Sequence, residues 1–386
     1  MSASDRAPPL IFLIAGEPSG DALGAVLMAA LKARNEVSFA GIGGPLMAAE
    51  GLTSLFPMKE LTVMGLAEVL PLIPAMLRRI AGTVAEIRSL RPAALVTIDS
   101  PGFNLRVASR LKGAGIPLVH YVAPSVWAWR PGRARKIAGF LDHLLAILPF
   151  EPPYFEAVGL PCTFVGHPVL ESGAGDGDGP GFRRRHGIAP EAPLIVALPG
   201  SRASETGPLL PVFGQALTLL EGRHPGLRAV VPTTDALGGE VEAAVRDWPV
   251  PGLVLRRGKF DAFAAADAAL AASGTVALEL AMARTPAVIA YKVNPVSAFL
   301  ARRLLRVPYV SLVNLILDRR AVPEYLQEDC RPERLADALD GLLADEGARL
   351  AQANAAGEAL DRLGLGGPSP SGRAADAVLD LIGRSS

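Results

Sequence analysis

Short apolar runs recur along the chain, and most of them end at a glycine or a small polar residue that precedes an amphipathic stretch. The run Leu10–Ala15 is an example, because residues 22–33 follow it with apolar side chains three and four positions apart. A short apolar run bounded by glycine is typical of a buried parallel strand, and the three-four spacing predicts a helix. The same pattern predicts further strands in the first half at residues 38–41, 94–98, 117–121, 143–147 and 163–165.

The pattern restarts after "ESGAGDGDGPG", residues 171–181, which has almost nothing to bury and predicts a linker. The strands predicted after it lie at residues 194–198, 228–231, 253–256, 268–271 and 287–290. Strands alternating with helices predict an α/β protein with two doubly wound, Rossmann-like halves and a substrate in the cleft between them. The expected parts are an N-terminal domain at 1–171, a linker at 172–181, a C-terminal domain at 182–368 and a tail at 369–386 with a helix at 374–382.

Composition narrows the class of protein. The chain has 386 residues, enough for two domains, and its 38 basic and 38 acidic residues give no net charge, so nothing favours a nucleic-acid partner. Cys162 and Cys330 lie far apart without metal-ligand spacing, which is typical of buried thiols in a reducing, cytoplasmic compartment. The N-terminus lacks the features of a signal peptide, and no apolar run is long enough to predict a membrane-spanning helix.

Two strand-to-helix turns in the first half carry acidic residues where α/β proteins bind ligands. The turn "GEPSGD", residues 16–21, contains Glu17, Ser19, Gly20 and Asp21. A helix cap by Ser19 or Asp21 explains one polar residue there but not Glu17 beside it. In "VTIDSPGFN", residues 96–104, Asp99 ends a strand, where it can act as a general base or satisfy local N–H groups in an Asx-turn.

Two turns in the second half have the composition of phosphate sites. "ALPGSRASE", residues 197–205, presents backbone N–H groups and a guanidinium at Gly200-Ser201-Arg202. "ASGTVALELA", residues 272–281, repeats the arrangement at Ser273-Gly274-Thr275, and Glu279 can accept hydrogen bonds from ribose hydroxyls. Ordinary helix caps with solvated charges remain the alternative for each turn taken singly.

Two further stretches are candidates for a sugar, phosphate or lipid. "HYVAPSVWAWRPGRARK", residues 120–136, places Trp127 and Trp129 beside Arg130, Arg133, Arg135 and Lys136, which suits a sugar, a phosphate or an anionic membrane, or else a buried Trp with a solvated basic face. His120, like His167, is more typical of a core hydrogen-bonding residue. "VMGLAEVLPLIPAMLRRI", residues 63–80, is apolar with a basic end and suits a membrane interface or acyl chains, and its two prolines predict an interrupted helix.

Together these stretches resemble the lipid-A-disaccharide synthase family, the glycosyltransferases of the bacterial lipid A pathway. The resemblance covers nearly the whole chain, in family order. It is carried by "GEPSGD" (16–21), "GIGGPLM" (41–47), "MGLAEVL" (64–70), "IDSPGFN" (98–104), "HYVAPSVWAWR" (120–130), "PFEPPYF" (149–155), "FVGHP" (164–168), "LPGSR" (198–202), "SGTVALE" (273–279) and "VNLILDRRAVPEYLQ" (313–327). Pro18, Ala123 and Val313 depart from residues frequent in the family.

The resemblance implies a GT-B fold and transfer of 2,3-diacylglucosamine from UDP to 2,3-diacylglucosamine 1-phosphate, with inversion, a β-1,6 bond and no metal or cofactor. It implies that the second half binds UDP and the first half the acceptor. It places the enzyme in the cytoplasm, peripherally on the inner face of the inner membrane, with a homodimer as a candidate assembly. Asp99 is the first choice for the catalytic base, with Glu17 and Asp21 as rivals. The substrate-binding candidates are Ser19, Gly20, His120, Trp127, Arg130, Gly200, Ser201, Arg202, Ser273, Gly274, Thr275, Glu279, Asn314 and Gln327.

Three other functions compete with this one. A UDP-sugar 2-epimerase shares the two-half architecture, but its soluble sugar needs no acyl contact such as residues 63–80 offer. An NAD-dependent oxidoreductase is disfavoured because the first turn is not a G-x-G-x-x-G. A lipid-binding protein without activity needs neither Asp99 nor a second phosphate-type turn.

Overall fold

The computed structural model describes residues 7–61, 66–129, 132–293 and 307–385, with the backbone alone at 66–73 and 385. The chain forms two compact units. The first comprises Met1–Pro168 together with Gly367–Ser386, and the second is Val169–Gly366. Each contains one six-stranded parallel sheet flanked by helices, as the strand–helix alternation predicts.

The first unit is a doubly wound sheet with strand order β2-β1-β3-β4-β5-β6. Its strands are β1 (Leu10–Ala15), β2 (Ser38–Ile42), β3 (Ala94–Ile98), β4 (Leu118–Tyr121), β5 (His143–Ala146) and β6 (Cys162–Phe164). Its helices are α1 (Pro18–Lys32), α2 (Pro45–Ala49), α3 (Leu66–Leu90), α4 (Asn104–Arg110), α5 (Gly132–Ala138) and α6 (Pro152–Glu156).

Both faces of the first sheet are covered by apolar packing. In β1, Phe12 and Ile14 join one apolar cluster while Ile11 and Leu13 join another, because successive strand side chains point to opposite faces. This two-sided burial explains why the strand is apolar at every position.

The second unit has strand order β12-β11-β10-β7-β8-β9. Its strands are β7 (Leu194–Leu198), β8 (Arg228–Pro232), β9 (Gly252–Leu255), β10 (Ala268–Ala272), β11 (Ala287–Tyr291) and β12 (Glu324–Leu326). Its helices are α7 (Gly179–Arg185), α8 (Ala203–Glu221), α9 (Gly238–Arg246), α10 (Lys259–Ala265), α11 (Val276–Met282), α12 (Leu312–Leu317), α13 (Pro332–Ala344) and α14 (Glu346–Leu363).

The last helix, α15 (Pro370–Ser385), packs back on the first unit. Its buried residues Ala374, Ala375 and Val378 belong to the same apolar cluster as Leu27 of α1. Asp376 also forms an ion pair with Arg34. The predicted separate tail is therefore part of the first unit of its own chain.

The glycine-rich stretch predicted as a linker at 172–181 is instead packed into the second unit. Ala174 is fully buried, and α7 begins at Gly179. A Cβ atom on Gly177 would lie 2.2 Å from the carbonyl oxygen of Phe260, and one on Gly179 would lie 2.3 Å from that of Ala264. The glycines here permit close approach to α10, which composition alone does not distinguish from flexibility.

Helix α3 differs from the prediction that prolines interrupt it. It is assigned as helix without a break from Leu66 to Leu90, across Pro71 and Pro74. Helix α8 likewise contains Pro208 and Pro211. An internal proline removes one main-chain hydrogen bond but does not end a helix whose packing outweighs that loss.

Candidate functional site

The first candidate site lies where the order of the first sheet reverses. The chain moves outward from β1 to β2 on one side and continues from β3 on the other, so the carboxyl ends of β1 and β3 flank the topological switch point, the usual ligand position in such sheets. Ala15 at the end of β1 pairs with Ile98 at the end of β3. The turns that follow touch, because a Cβ atom on Gly16 would lie 2.7 Å from Oγ of Ser100.

Asp99 begins the turn after β3 in a strained conformation. Its φ is 48° and that of Ser100 is 41°, in the left-handed region that non-glycine residues rarely adopt. The turn is held by its main chain: Asp99 N donates to the carbonyl oxygen of Tyr121 at 2.9 Å, and Asn104 Nδ2 donates to the carbonyl oxygen of Asp99 at 2.8 Å. Within the described ranges, the half-buried Asp99 carboxylate has no hydrogen-bond or ion-pair partner. Stored strain beside an unengaged acid is typical of a functional turn.

The turn after β1 separates its two acids by environment. Glu17 is the N-cap residue of α1, is half-buried, and its carboxylate has no partner in the described part of the chain. Asp21 is 2% exposed, and its carboxylate accepts from the backbone N–H groups of Gly44 at 2.9 Å, Leu46 at 3.1 Å and Met47 at 3.0 Å. Asp21 thus caps α2, which leaves it no free geometry for proton transfer and removes it from our candidates for the base.

Ser19 and Gly20 lie in the first turn of α1, which begins at Pro18 rather than at residue 22. Ser19 is exposed and Gly20 is buried. Neither Ser19 nor Asp21 caps α1, because the N-cap position belongs to Glu17, which makes no side-chain cap bond. The exposed hydroxyl of Ser19 is available to a ligand.

His120 lies on β4, directly beside the Asp99 strand. It is fully buried, its Nδ1 lies 2.8 Å from Oγ1 of Thr97, and its Nε2 has no partner among the described residues. Burial, with a smaller effect from the positive charge of Arg133, lowers the pKa of His120 from 6.5 to about 3. The imidazole is therefore neutral at physiological pH, and it can orient a ligand but not donate a proton as imidazolium.

Trp127 is oriented by a buried acid that sequence analysis did not identify. Its Nε1 donates to Oε1 of Glu151 at 3.1 Å, and its ring meets Phe150 edge-on at 5.1 Å. The other carboxylate oxygen of Glu151 accepts from the N–H groups of Ile147 at 3.2 Å and Leu148 at 3.0 Å. Burial raises the pKa of Glu151 to about 7 despite these bonds. Arg130, predicted beside these residues, lies outside the described residues.

The second candidate site is a cavity of about 890 Å³ in the second unit. It lies at the switch point of that sheet, where β7 and β10 are neighbours, and the turns after both strands line it. The structure thus brings together six predicted residues, Gly200, Ser201, Arg202, Ser273, Gly274 and Thr275, with Glu279 beside them. A cavity of this size accommodates a nucleotide sugar.

The turn after β7 has the form of a phosphate site, and a side chain of the following helix, α8, occupies its anion position. Gly200 has φ of 118°, a conformation that glycine permits, and Ser201 N donates to Oε2 of Glu205 at 3.2 Å. Arg202 is the N-cap residue of α8 with a 64% exposed side chain, and its Nη1 lies 3.7 Å from Oε1 of Glu205. Glu205 therefore occupies the place where an anion would meet the helix N-terminus.

The turn after β10 is held by different side-chain contacts. Ser273 does not cap α11; its Oγ donates to the carbonyl oxygen of Val310 at 2.8 Å. Glu279, in the first turn of α11, is held by Lys259, whose Nζ lies 2.9 and 2.7 Å from its two oxygens. Lys259 was missed because nothing in the sequence pattern links residue 259 to this turn, whereas the sheet order brings α10 and α11 to one cavity.

The structure does not place Asn314 or Gln327 among the residues lining this cavity. Asn314 is fully buried, and its Oδ1 accepts from the N–H groups of Ala321 and Val322, both at 2.8 Å. Its Nδ2 donates to Oε1 of Glu324 at 2.7 Å. Asn314 is thus a support for the chain around it, and Gln327 is half-buried with its Oε1 3.4 Å from the N–H of Val293.

The described residues contain neither a metal-binding cluster nor a membrane-spanning helix. No group of three or more His, Cys, Asp or Glu side chains within those residues is arranged to hold a metal ion. The carboxylate of Asp178, in the acidic stretch before α7, accepts from Gly181 N at 2.8 Å and pairs with Arg185. No helix in this part of the chain combines the length and apolar character needed to cross a bilayer.

Comparison with solved structures shows the fold. The chain is similar to MurG from Acinetobacter baumannii, with a TM-score of 0.56 and 16% identity, covering 98% of this chain and 100% of that one. It is also similar to UDP-GlcNAc 2-epimerase from Neisseria meningitidis bound to UDP-GlcNAc, with a TM-score of 0.61 and 11% identity, covering 97% of this chain and 99% of that one. The chain therefore has two Rossmann-like domains of the GT-B type, a fold shared by transferases and epimerases.

Sequence comparison separates these classes. The family model for lipid-A-disaccharide synthetase matches residues 11–363. A lipid-A-disaccharide synthase of Rhodospirillum centenum is 60% identical over 97% of this chain and 95% of its own length. One of Paramagnetospirillum magneticum is 59% identical over 97% of both chains. With both switch-point sites present, this chain belongs to the lipid-A-disaccharide synthase family.

Proposed function

We propose that the chain joins UDP-2,3-diacylglucosamine to 2,3-diacylglucosamine 1-phosphate by direct, inverting displacement, with Asp99 as the general base. Membership of the family establishes the condensation itself. In the proposed step, the acceptor 6-hydroxyl attacks the anomeric carbon of the donor, the bond to UDP breaks, and Asp99 takes the hydroxyl proton. The observation that carries the assignment is the Asp99 carboxylate, which has no partner among the described residues and lies in a strained turn at the switch point.

The cavity of the second unit is the proposed UDP site. The turn at Gly200–Arg202 and the N-terminus of the 19-residue α8 favour negative charge, and Arg202 can form charge-assisted hydrogen bonds to the diphosphate. For phosphate to bind there, Glu205 must leave Ser201 N. These groups stabilise the departing UDP, which accumulates charge as the glycosidic bond breaks.

Glu279 is the proposed ribose ligand, and Lys259 is its positioning residue. A carboxylate accepts hydrogen bonds from two vicinal hydroxyls, and Lys259 fixes both of its oxygens at the cavity wall.

The contacts of Asn314 support a purely structural role in this unit. Asn314 donates to Glu324, which in turn accepts from the N–H groups of Val310 and Ser311.

The base assignment is tested by comparing Asp99→Asn with Glu17→Gln, since both exchanges preserve size and remove a carboxylate at the same turn cluster. We expect Asp99→Asn to lower turnover about a hundredfold or more at saturating substrates, because a general base contributes about that much. UDP affinity, measured by calorimetry, should stay unchanged. Normal turnover in Asp99→Asn with a large loss in Glu17→Gln would transfer the role to Glu17.

We also propose peripheral association with the inner face of the inner membrane, where the acylated substrates reside. Of the apolar segment at 63–80, residues 63–65 and the side chains of 66–73, including Leu70, Leu72 and Ile73, lie outside the described residues. The described support is Leu77, 45% exposed on α3, and Trp129, 37% exposed. In vesicle flotation, Leu77→Ser should weaken binding, whereas Leu90→Ser, 40% exposed at the opposite end of α3, should not. Equal effects of both would refute the assignment.

A further inference from the structure

A second cavity in the first unit, of about 670 Å³, begins beside the Asp99 turn. Pro101 and Gly102 form part of its wall, and α4, α5 and Phe140 supply the rest. Only Ser100 separates Asp99 from Pro101, so their Cα atoms lie at most about 7 Å apart. A ligand in this cavity can therefore reach the proposed base with a neighbouring sugar ring.

The charges around this cavity have one sign. Arg106 of α4 and Arg133 and Lys136 of α5 line it, and none of the described residues that line it is acidic. Arg106 and Lys136 are exposed and have no carboxylate partner within the described residues; Arg106 Nη1 has only the sulfur of Met76 at 3.8 Å. By contrast, Lys32, Arg34 and Arg79 of this unit form ion pairs with Glu50, Asp376 and Glu60. The cavity thus favours an anionic group.

The floor of the same cavity is apolar. Leu105 and Ile137 are buried and Phe140 is half-buried, and all three face the space that the basic side chains surround. Inorganic phosphate would leave this floor unused. The lining suits a ligand in which a phosphate and a hydrocarbon chain leave the same end of the molecule.

We propose that this cavity binds the 1-phosphate and the adjacent amide-linked acyl chain of the acceptor, and thereby directs the acceptor 6-hydroxyl to Asp99. In a 2,3-diacylglucosamine 1-phosphate, the phosphate on C1 and the chain on C2 leave neighbouring ring carbons, while the 6-hydroxyl projects from another part of the ring. The cavity, with its basic lining and apolar floor, matches the phosphate and the C2 chain. The Asp99 turn matches the 6-hydroxyl. This inference rests on the proposed function.

Two neighbouring basic residues of α5 provide a matched pair of test and control variants. Lys136 lines the cavity and Arg135, one residue earlier and also exposed, does not. The experiment measures kcat/KM in neutral detergent micelles with two acceptors, 2,3-diacylglucosamine 1-phosphate and the corresponding methyl glycoside without phosphate. The variants are Arg106→Ala, Lys136→Ala, their combination, and Arg135→Ala.

We expect Arg106→Ala and Lys136→Ala each to lower kcat/KM for the phosphorylated acceptor about tenfold, as for loss of a charge-assisted contact. Neither should change kcat/KM for the methyl glycoside or KM for the donor, and Arg135→Ala should alter none of these values. Equal losses with both acceptors, or no loss with either, would overturn the inference.

The same variants distinguish the acceptor from the bilayer. If activity is normal in neutral micelles but falls on vesicles of anionic phospholipid, the cavity binds membrane lipid and the inference is wrong. Failure of the proposed function has a different signature, because the unmodified chain would then release no UDP with either acceptor, or Asp99→Asn would retain turnover. If the unmodified chain transfers the sugar but the Arg106→Ala and Lys136→Ala variants do not distinguish the two acceptors, only the cavity assignment is wrong.

Discussion

Glu151 is a single buried carboxyl group that connects pH to the stability of the first unit. Burial raises its pKa from 4.5 to about 7, so the folded chain keeps it protonated where the unfolded chain ionises it. Between these pH values the folded state binds more protons, and the stabilisation from this group is present below pH 4.5 and lost as pH rises through 7. The loss is about 3 kcal/mol at most, at 1.36 kcal/mol per pKa unit.

The prediction is measured as a difference between the unmodified chain and Glu151→Gln. From pH 4.5 to 7, the free energy of unfolding of the unmodified chain should fall relative to that of Glu151→Gln, which cannot ionise. His120 and His167, whose pKa values burial lowers to about 3 and about 4, make the opposite contribution in both proteins, so the difference cancels them. Urea titrations followed by Trp fluorescence provide the measurement. A difference that stays constant over this range would contradict the prediction.

At the residue scale, local sequence located the polar turns of the two proposed sites but did not predict the contacts of each side chain. Asp99 and Asp21 both come soon after a strand, yet Asp21 accepts from three N–H groups at the start of α2, more than twenty residues away. Asn314 is likewise committed to distant main-chain groups. Such roles depend on tertiary contacts that a strand-turn-helix pattern does not encode.

At the element scale, helix α15 closes an apolar face that α1 leaves open. Val378 is fully buried in the cluster that contains Leu27 and Met28. We expect Val378→Ala to lower the free energy of unfolding of the first unit by about 2 kcal/mol, from lost burial and the cavity left behind. Asp380→Ala, an exposed change on the same helix, is the control. Equal unfolding midpoints for Val378→Ala and the unmodified chain would show that α15 contributes no stability there.

The elements differ in how far the sequence predicts them. The parallel strands were found within one or two residues, because central strands such as β1, β7 and β10 are buried almost throughout and form apolar runs. Strand β12 was missed, since Glu324–Leu326 is short and only half-buried. The glycines at 177 and 179 were misread because flexibility and close packing leave the same composition.

At the scale of the whole molecule, the two units differ in continuity. Residues 169–366 form the second unit without a break, whereas the first needs two distant segments of chain. The cavity proposed for UDP is lined entirely by residues of the continuous unit. Expressed alone, residues 169–366 should fold and bind UDP within about tenfold of the affinity of the full chain, as measured by calorimetry. A folded fragment that does not bind UDP would mean that the first unit supplies necessary contacts.

Residues 1–168 expressed alone are the comparison. Without α15, this fragment exposes the apolar surface of α1 that Ala374, Ala375 and Val378 normally cover. It should therefore unfold at lower urea concentration than the same fragment supplied with α15 through a short flexible linker. Identical midpoints for the two fragments would contradict the assigned role of α15.

The return of the chain to its first unit also fixes the order in which the molecule can be completed during synthesis. A ribosome adds about 5–20 residues per second from the N-terminus, and domains generally fold in that order. Here the part made first waits for the part made last, since the whole of Val169–Gly366 must be translated before α15 emerges. That delay is on the order of ten seconds or more at such rates. Premature termination shortly before α15 would release a polypeptide that has the whole proposed UDP site but an incomplete first unit.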